Sequence, residues 1–213
     1  MNARNADRIV RYTAGTRINH WIVAISFVLA ALSGLALFHP ALFWLAHLFG
    51  GGPWTRILHP FIGLAMVAAF YLLCVQFWRD NYMQQHDWIW LRKINDVIGN
   101  REENLPDVGR YNAGQKLLFF LLVVCLIGLL LSGILIWRVY FGEFFAVGVI
   151  RAGSLLHALF AFVLICAITI HIYAAIWVKG SIRAMTRGWV TPGWAWKHHR
   201  AWFREVSRGV HSK

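Results

Sequence analysis

The sequence predicts an all-α integral membrane protein, a four-helix bundle that crosses the bilayer. Three observations predict it. The 213-residue chain is 59% hydrophobic and only 14% charged, whereas a soluble domain is nearer a quarter charged. Its mean hydropathy is +0.53. Uncharged runs cover Trp21–Phe38, Ile57–Trp78, Leu117–Trp137 and Ala152–Val178, and a spanning helix needs roughly 20 apolar residues.

The first helix is expected near 19–38. It follows Arg4, Arg8, Arg11 and Arg17, so it resembles a signal peptide, but its apolar run is long for one and it reads as a retained helix. The next segment, HPALFWLAHLFGGGPWT, is apolar and uncharged. It suits the outer interface and ends at Gly50-Gly51-Gly52-Pro53, a strong breaker. Helices near 56–78, 116–137 and 152–178 follow. A loop, 79–115, separates the second and third, and a basic amphipathic tail fills 179–213. The whole chain, 1–213, reads as one domain without repeats or low-complexity segments.

The formal charge is +12, which in a soluble protein would suggest nucleic acid. Here the basic residues sort by loop instead. They crowd the N-terminal segment, the 79–116 region and the tail, while the opposite side carries only Arg56, Arg138 and Arg151. The positive-inside rule then places both termini in the cytoplasm, and no nucleic-acid partner is expected. Trp21, Trp54, Trp78, Trp137 and Trp177 stand at run ends, as an aromatic belt does. The tail motif GWVTPGWAWKHHRAWFREV interleaves Trp with Lys and Arg. Lying on the membrane surface and docking on a partner subunit both suit it.

Cys74, Cys125 and Cys166 are isolated in apolar runs and read as small core residues. No C-x-x-C-H occurs, three scattered thiols do not hold an iron–sulfur cluster, and no nucleotide-binding glycine motif is present.

The histidines are more informative. With both termini inside, His20 and His171 fall toward the cytoplasmic surface, and His59 and His157 toward the outer one. Each level therefore holds one histidine of the fourth helix and one from another helix. His157 and His171 are fourteen residues apart, about 40° short of four full turns, so they share a face about 21 Å long. Two opposed imidazoles per level suit haem b, a flat apolar ring whose iron takes one axial ligand from each side. The expected ligand sets are His59 with His157 at the outer haem iron and His20 with His171 at the inner one. Gly34 and Gly63 are expected to clear room for the outer ring, with ordinary glycine packing as the alternative. His39, His47, His86, His198, His199 and His211 fall in loops or the tail; for His198-His199 a solvated basic tail is expected over metal binding.

Two haems at two depths make a transmembrane wire, and the membrane carrier able to unload it is a quinone. GRYNAGQK, residues 109–116, is the candidate quinone site: Asn112 offers an amide and Gly114 permits close backbone approach. From spacing alone, an N-cap at Asn112 and a turn at Gly114 account for the motif as well. Arg17, Arg110 and Lys179 suit inner-level propionates or anionic lipid head groups, and Arg56, Arg138 and Arg151 outer-level ones. A histidine-based proton or metal transporter is the rival class. It calls for intramembrane carboxylates, and the four runs contain no Asp or Glu.

The segments RYTAGTRINHW, RILHPFIG, GRYNAGQK, SLLHALFA, HIYAAIWVKGSIRAM and GWVTPGWAWKHH resemble, in order and over nearly the whole chain, the gamma subunit family of membrane-bound respiratory formate dehydrogenases, which are diheme cytochromes b. The resemblance implies His20 and His171 on the cytoplasmic-side haem, His59 and His157 on the periplasmic-side haem, and Asn112 and Gly114 lining a quinone pocket for menaquinone or ubiquinone. It also implies a hetero-oligomer with an iron–sulfur subunit and a molybdenum- or tungsten-pterin catalytic subunit that oxidises formate, embedded among membrane lipids in the bacterial inner membrane. A cytochrome b of a hydrogenase, or of another quinone-linked oxidoreductase, differs only in its donor.

Overall fold

The computed structural model describes residues 8–99 and 101–211; Arg4 and Lys213 lie outside them. Four helices are long and apolar enough to cross a membrane: α1 (Ala14–Phe38), α2 (Gly52–Phe77), α5 (Ala113–Ile136) and α7 (Val147–Trp177). Each contains one of the uncharged runs or all but its last residue, and each begins several residues before it. Between α2 and α5 lie the short helices α3 (Gln85–Arg92) and α4 (Ile94–Ile98). Between α5 and α7 lies α6 (Arg138–Phe141), and after α7 come α8 (Ser181–Arg187), α9 (Pro192–His198) and α10 (Arg200–His211). The chain packs as two compact units.

One unit takes in Ile18–Val75 and Leu121–His171, the bodies of the four long helices. Its core is a cluster of Met66, Phe70, Cys125, Leu126 and Leu164, with Val23 and Phe27 of α1 packed against it. All four helices thus contribute to one apolar centre. Large apolar side chains on the opposite faces, such as Tyr71, Leu155, Phe162 and Ile170, are exposed, the pattern of helices whose second solvent is lipid. The apolar loop after α1 is a 3₁₀ helix, Pro40–Phe49, ended by Gly50 at φ 86°. Gly51 is also left-handed, φ 95°, a conformation only glycine adopts without cost. The amide of Gly51 returns to the carbonyl of Ala46 at 2.9 Å, and Thr55 Oγ donates to the carbonyl of Gly51 at 2.8 Å.

The other unit is built from the stretch up to Arg17, Gln76–Phe120, and the chain from Ile172 onward. The tail is neither a solvated strand of basic residues nor an isolated surface helix. It folds back on the N-terminal segment. Strand β1 (Ile9–Val10) pairs antiparallel with β2 (Trp189–Val190), Ile9 opposite Val190. Gly188 turns the chain into β2 at φ 85°, and its carbonyl accepts from the amides of Arg11 and Tyr12. Thr191 caps α9 by accepting from Trp194 N, with Pro192 in the first turn, where its missing N–H costs nothing. Ala184, Val190, Ala195 and Trp202 then form a second core.

His199 belongs to that core. It is only 2% exposed, and its Nδ1 is 2.9 Å from the carbonyl of Gly109, to which it donates. Arg11, 4% exposed, lies against Nε2 of the same ring. Its guanidinium stacks over Tyr12, Tyr111, Trp194 and Trp202. The sequence places His199 in a solvated tail; the structure buries it, because Trp194 and Trp202 of the tail turn inward around Arg11, while Trp196 stays exposed.

Burial, then the neighbouring Arg11 and His198, hold the His199 imidazole down at about 3, against 6.5 for a free imidazole. The unfolded chain therefore takes up this proton at higher pH than the folded one. Stability contributed by the neutral ring is complete above about pH 6.5 and is lost as pH falls from there toward 3. His198, lowered to about 4 by burial and Lys197, adds to the slope. We expect acid unfolding followed by tryptophan fluorescence to be shallower by about one proton in His199→Asn; an unchanged slope would show that the ring is not neutral in the fold.

Candidate functional site

All four intramembrane histidines lie in the four-helix unit. His20 comes from α1, His59 from α2, and His157 and His171 from α7. The structure brings them together in two pairs. The rings of His20 and His171 have centroids 6.5 Å apart, and those of His59 and His157 6.2 Å apart. Two imidazoles bound to one metal through bonds of about 2 Å have ring centres about 6 Å apart, since each nitrogen sits roughly 1 Å from its centroid. The spacing of both pairs fits a single iron between the rings. No group of three or more His, Cys, Asp or Glu that would hold a bare metal ion occurs among the described residues. A haem, with four of its iron ligands its own, needs only two from the protein.

The pair His59 and His157, the one expected at the outer level, is held by two serines that the sequence analysis did not single out. Ser33 Oγ donates to the carbonyl of Leu29 at 2.7 Å and lies 2.9 Å from His59 Nδ1. Ser132 Oγ donates to the carbonyl of Gly128 at 2.6 Å and lies 3.0 Å from His157 Nδ1. Each hydroxyl has spent its one proton on its own helix, so it accepts from the imidazole. Nδ1 then carries the hydrogen in both rings, and Nε2 is left with a lone pair, the state a metal ligand requires. A signal was present in the sequence: Ser-Gly occurs at 33–34 and again at 132–133, each inside an apolar run.

The glycines of those pairs face the same rings. A Cβ on Gly34 would stand 3.1 Å from His59 Cε1, and one on Gly133 3.5 Å from His157 Cε1. Gly34 thus lets the imidazole seat against its helix. A Cβ on Gly63 would meet nothing within 4 Å, as at Gly15, Gly109, Gly148 and Gly193, so this distance does not separate clearance for a ring from ordinary glycine packing. Pro60, directly after His59, removes the helical donor to the carbonyl of Arg56. In the pair His20 and His171, His20 Nδ1 is buried with no hydrogen-bond partner among the described residues.

Asn112 and Gly114 lie in the other unit, at the start of α5. Asn112 is the N-cap. Its Oδ1 accepts from Gln115 N at 2.9 Å, while Gln115 Oε1 accepts from Asn112 N at 3.0 Å, a reciprocal capping box. The cap uses only the oxygen of the amide and leaves the half-buried Nδ2 with no partner among the described residues. Capping therefore leaves the amide nitrogen of this side chain able to donate. A Cβ on Gly114 would come within 3.2 Å of the Trp90 ring and 3.5 Å of Asn112 Oδ1, so glycine here admits both. The loop that leads to Asn112 is gripped from behind. Arg110 donates to the carbonyl of Arg11 at 3.0 Å and meets Asp80 at 3.5 Å, while Arg11 donates to the carbonyl of Arg110. Arg17 likewise is engaged by Thr186. Arg56, Arg138, Arg151 and Lys179 are exposed.

A family model for the prokaryotic cytochrome b561 proteins matches residues 11–188. The chain is 46% identical over 210 residues to the formate dehydrogenase cytochrome b556(fdo) subunit of Escherichia coli strain K12, covering 99% of each. It is 43% identical over 205 residues to that strain's nitrate-inducible formate dehydrogenase cytochrome b556(Fdn) subunit, covering 96% of this chain and 94% of the relative. To the formate dehydrogenase cytochrome b556 subunit of Haemophilus influenzae it is 41% identical over 201 residues, covering 94% and 84%. Four apolar helices and similarity that runs from end to end lead to one conclusion: the chain belongs to the prokaryotic cytochrome b561 family, alongside the cytochrome b subunits of formate dehydrogenases.

Proposed function

We propose that this chain is the quinone-reducing cytochrome b subunit of a respiratory formate dehydrogenase in the bacterial inner membrane. It carries electrons from a periplasmic iron–sulfur partner, itself loaded by a molybdenum- or tungsten-pterin subunit, through two b haems to quinone near the cytoplasmic side. The observation that carries the reading is the meeting of four half-buried imidazoles in two pairs, 6.5 and 6.2 Å between centroids. Bound haem b supplies one-electron exchange between ferric and ferrous iron.

The chain's own residues do the rest. His59 and His157 would hold the outer haem through Nε2, with Ser33 and Ser132 fixing the tautomer and ring plane. His20 and His171 would hold the inner one. Asn112 donates from Nδ2 to a quinone carbonyl while its oxygen holds the head of α5, and Gly114 keeps the approach clear. With both termini cytoplasmic, electrons move inward and the quinol takes its protons from the cytoplasm. Each charge moved works against about 2.3 kcal/mol per 100 mV of membrane potential. The full-length relatives, which are formate dehydrogenase subunits by name, favour formate as the source of electrons over hydrogen; copurification of the neighbouring subunits tests that choice.

Haem extraction from the purified chain is expected to yield two b haems, and one or none would remove the wire. His59→Ala or His157→Ala should cost the outer haem alone and stop donor-driven reduction, while a quinol analogue still reduces the inner haem; loss of both haems from a folded variant would refute the pairing by depth. Ser33→Ala and Ser132→Ala keep the ligands but remove the acceptor for Nδ1–H. We expect retention of the outer haem to weaken by about 10- to 100-fold and its redox midpoint to move, read by spectroelectrochemistry, with the inner haem unchanged. Asn112→Ala should slow quinone turnover with both haem spectra intact, and undiminished turnover would leave Asn112 a helix cap only.

A further inference from the structure

Two buried ionisable side chains in the loop-and-tail unit play no part in the electron path. Asp87 of α3 is 0% exposed and Lys116 of α5 is 3% exposed. Lys116 Nζ donates to Asp87 Oδ2 at 2.6 Å and to the carbonyl of Tyr82 at 3.1 Å. Asp87 Oδ2 also accepts from Gln84 N at 2.8 Å. A buried ion pair repays its desolvation only when the remaining lone pairs are satisfied as well, and here they are not. Among the described residues Asp87 Oδ1 is buried without a hydrogen-bond partner, and so is His86 Nε2. The two orphaned atoms face each other at 3.5 Å, although the His86 side chain is 28% exposed. An imidazole that touches solvent on one side and an unpaired carboxylate oxygen on the other is placed to take a proton at one nitrogen and release one at the other.

The inner end of this series lies at the quinone residues. Lys116 follows Asn112 by one turn, its amide bonded to the Asn112 carbonyl at 3.1 Å. Four residues apart, Lys116 and Asn112 share one face at the head of α5, and the Lys116 ammonium on that face reaches Asp87 and the Tyr82 carbonyl. Trp90, from the same helix as His86 and Asp87, seats α3 over Gly114.

We propose that His86, Asp87 and Lys116 form the proton-delivery route for quinone reduction at Asn112. The proposal rests on the reading of Asn112 and Gly114 as the quinone site. Reduction of a quinone to its quinol consumes two electrons and two protons, and the haem path supplies electrons only. For each proton, the Lys116 ammonium releases one N–H proton to a reduced quinone oxygen. Asp87 hands a proton to the Lys116 amine, and His86 restores it to Asp87 from solvent. Two such cycles balance the reaction with no further reactant.

The test uses the intact complex with its haems reduced by its own donor substrate, mixed with menadione and followed as haem reoxidation by stopped flow in H₂O and D₂O. In His86→Ala the rate should fall by at least about tenfold, the solvent isotope effect should grow, and added imidazole should restore the rate. The double change Asp87→Asn with Lys116→Met removes both charges together and should slow reoxidation with no rescue by imidazole. Haem spectra and the rate of haem reduction should hold in every variant. If His86→Ala reoxidises at the native rate with the native isotope effect while Asn112→Ala is slow, the route is wrong and the quinone site stands. If Asn112→Ala is also fast, the quinone site fails and takes the route with it.

Discussion

An imidazole placed in hydrocarbon has two nitrogens to satisfy, and water is not there to do it. That constraint organises the membrane unit. A lone histidine in a spanning helix solves it with one neighbour at best. In the pair His59 and His157 a serine settles one nitrogen of each ring: its hydroxyl, already spent on its own helix, takes Nδ1–H, and Nε2 keeps its lone pair. The serines are cheap to bury because each donates to a carbonyl of the preceding turn. The glycine after each serine removes the Cβ that would crowd the ring. A dipeptide used twice on two helices thus sets position, tautomer and clearance together.

The same economy governs the head of α5. A helix N-terminus has orphan amides that need acceptors, and a ligand carbonyl needs a donor. Asn112 meets both needs because an amide has two ends. Its oxygen turns inward to Gln115 N, and its nitrogen remains for a ligand. The two readings of GRYNAGQK that spacing leaves open are therefore compatible. Trp90 over Gly114 and the Arg11–Arg110 exchange behind the loop hold that geometry. Placing the site on braced elements rather than on a free loop keeps the donor where a small error in angle would weaken it.

Much of this was legible in the sequence, and for a physical reason. Bilayer thickness sets helix length and successive spanning helices alternate in direction, so which of His20, His59, His157 and His171 share a level follows from counting. The structure puts His20 beside His171 and His59 beside His157. What counting does not reach is contact between segments far apart in the chain. Ser33 meets His59 across helices, and Ser132 meets His157; each serine alone reads as an ordinary small polar residue in a span. His199 and Arg11 are a stronger case. A Trp-, Lys- and Arg-rich tail has the composition of a membrane-surface helix. Only the β1–β2 pairing and the ring of aromatic side chains around one guanidinium turn it into a core. Asp87 and Lys116, 29 residues apart, likewise look like two members of a solvated basic loop until the fold buries them.

The pairing of Ile9 with Val190 joins the first described strand to the last tenth or so of the chain. A strand that waits for a partner some 180 positions downstream has nothing to pair with until that partner has been made. The four apolar helices can enter the bilayer one after another as they emerge, but the unit that carries the head of α5 closes only once Trp189 and Val190 have followed them. Assembly of this subunit is therefore sequential by construction: membrane insertion first, then closure of the terminal unit. A chain broken off ahead of Trp189 would be inserted in the membrane with that unit left open.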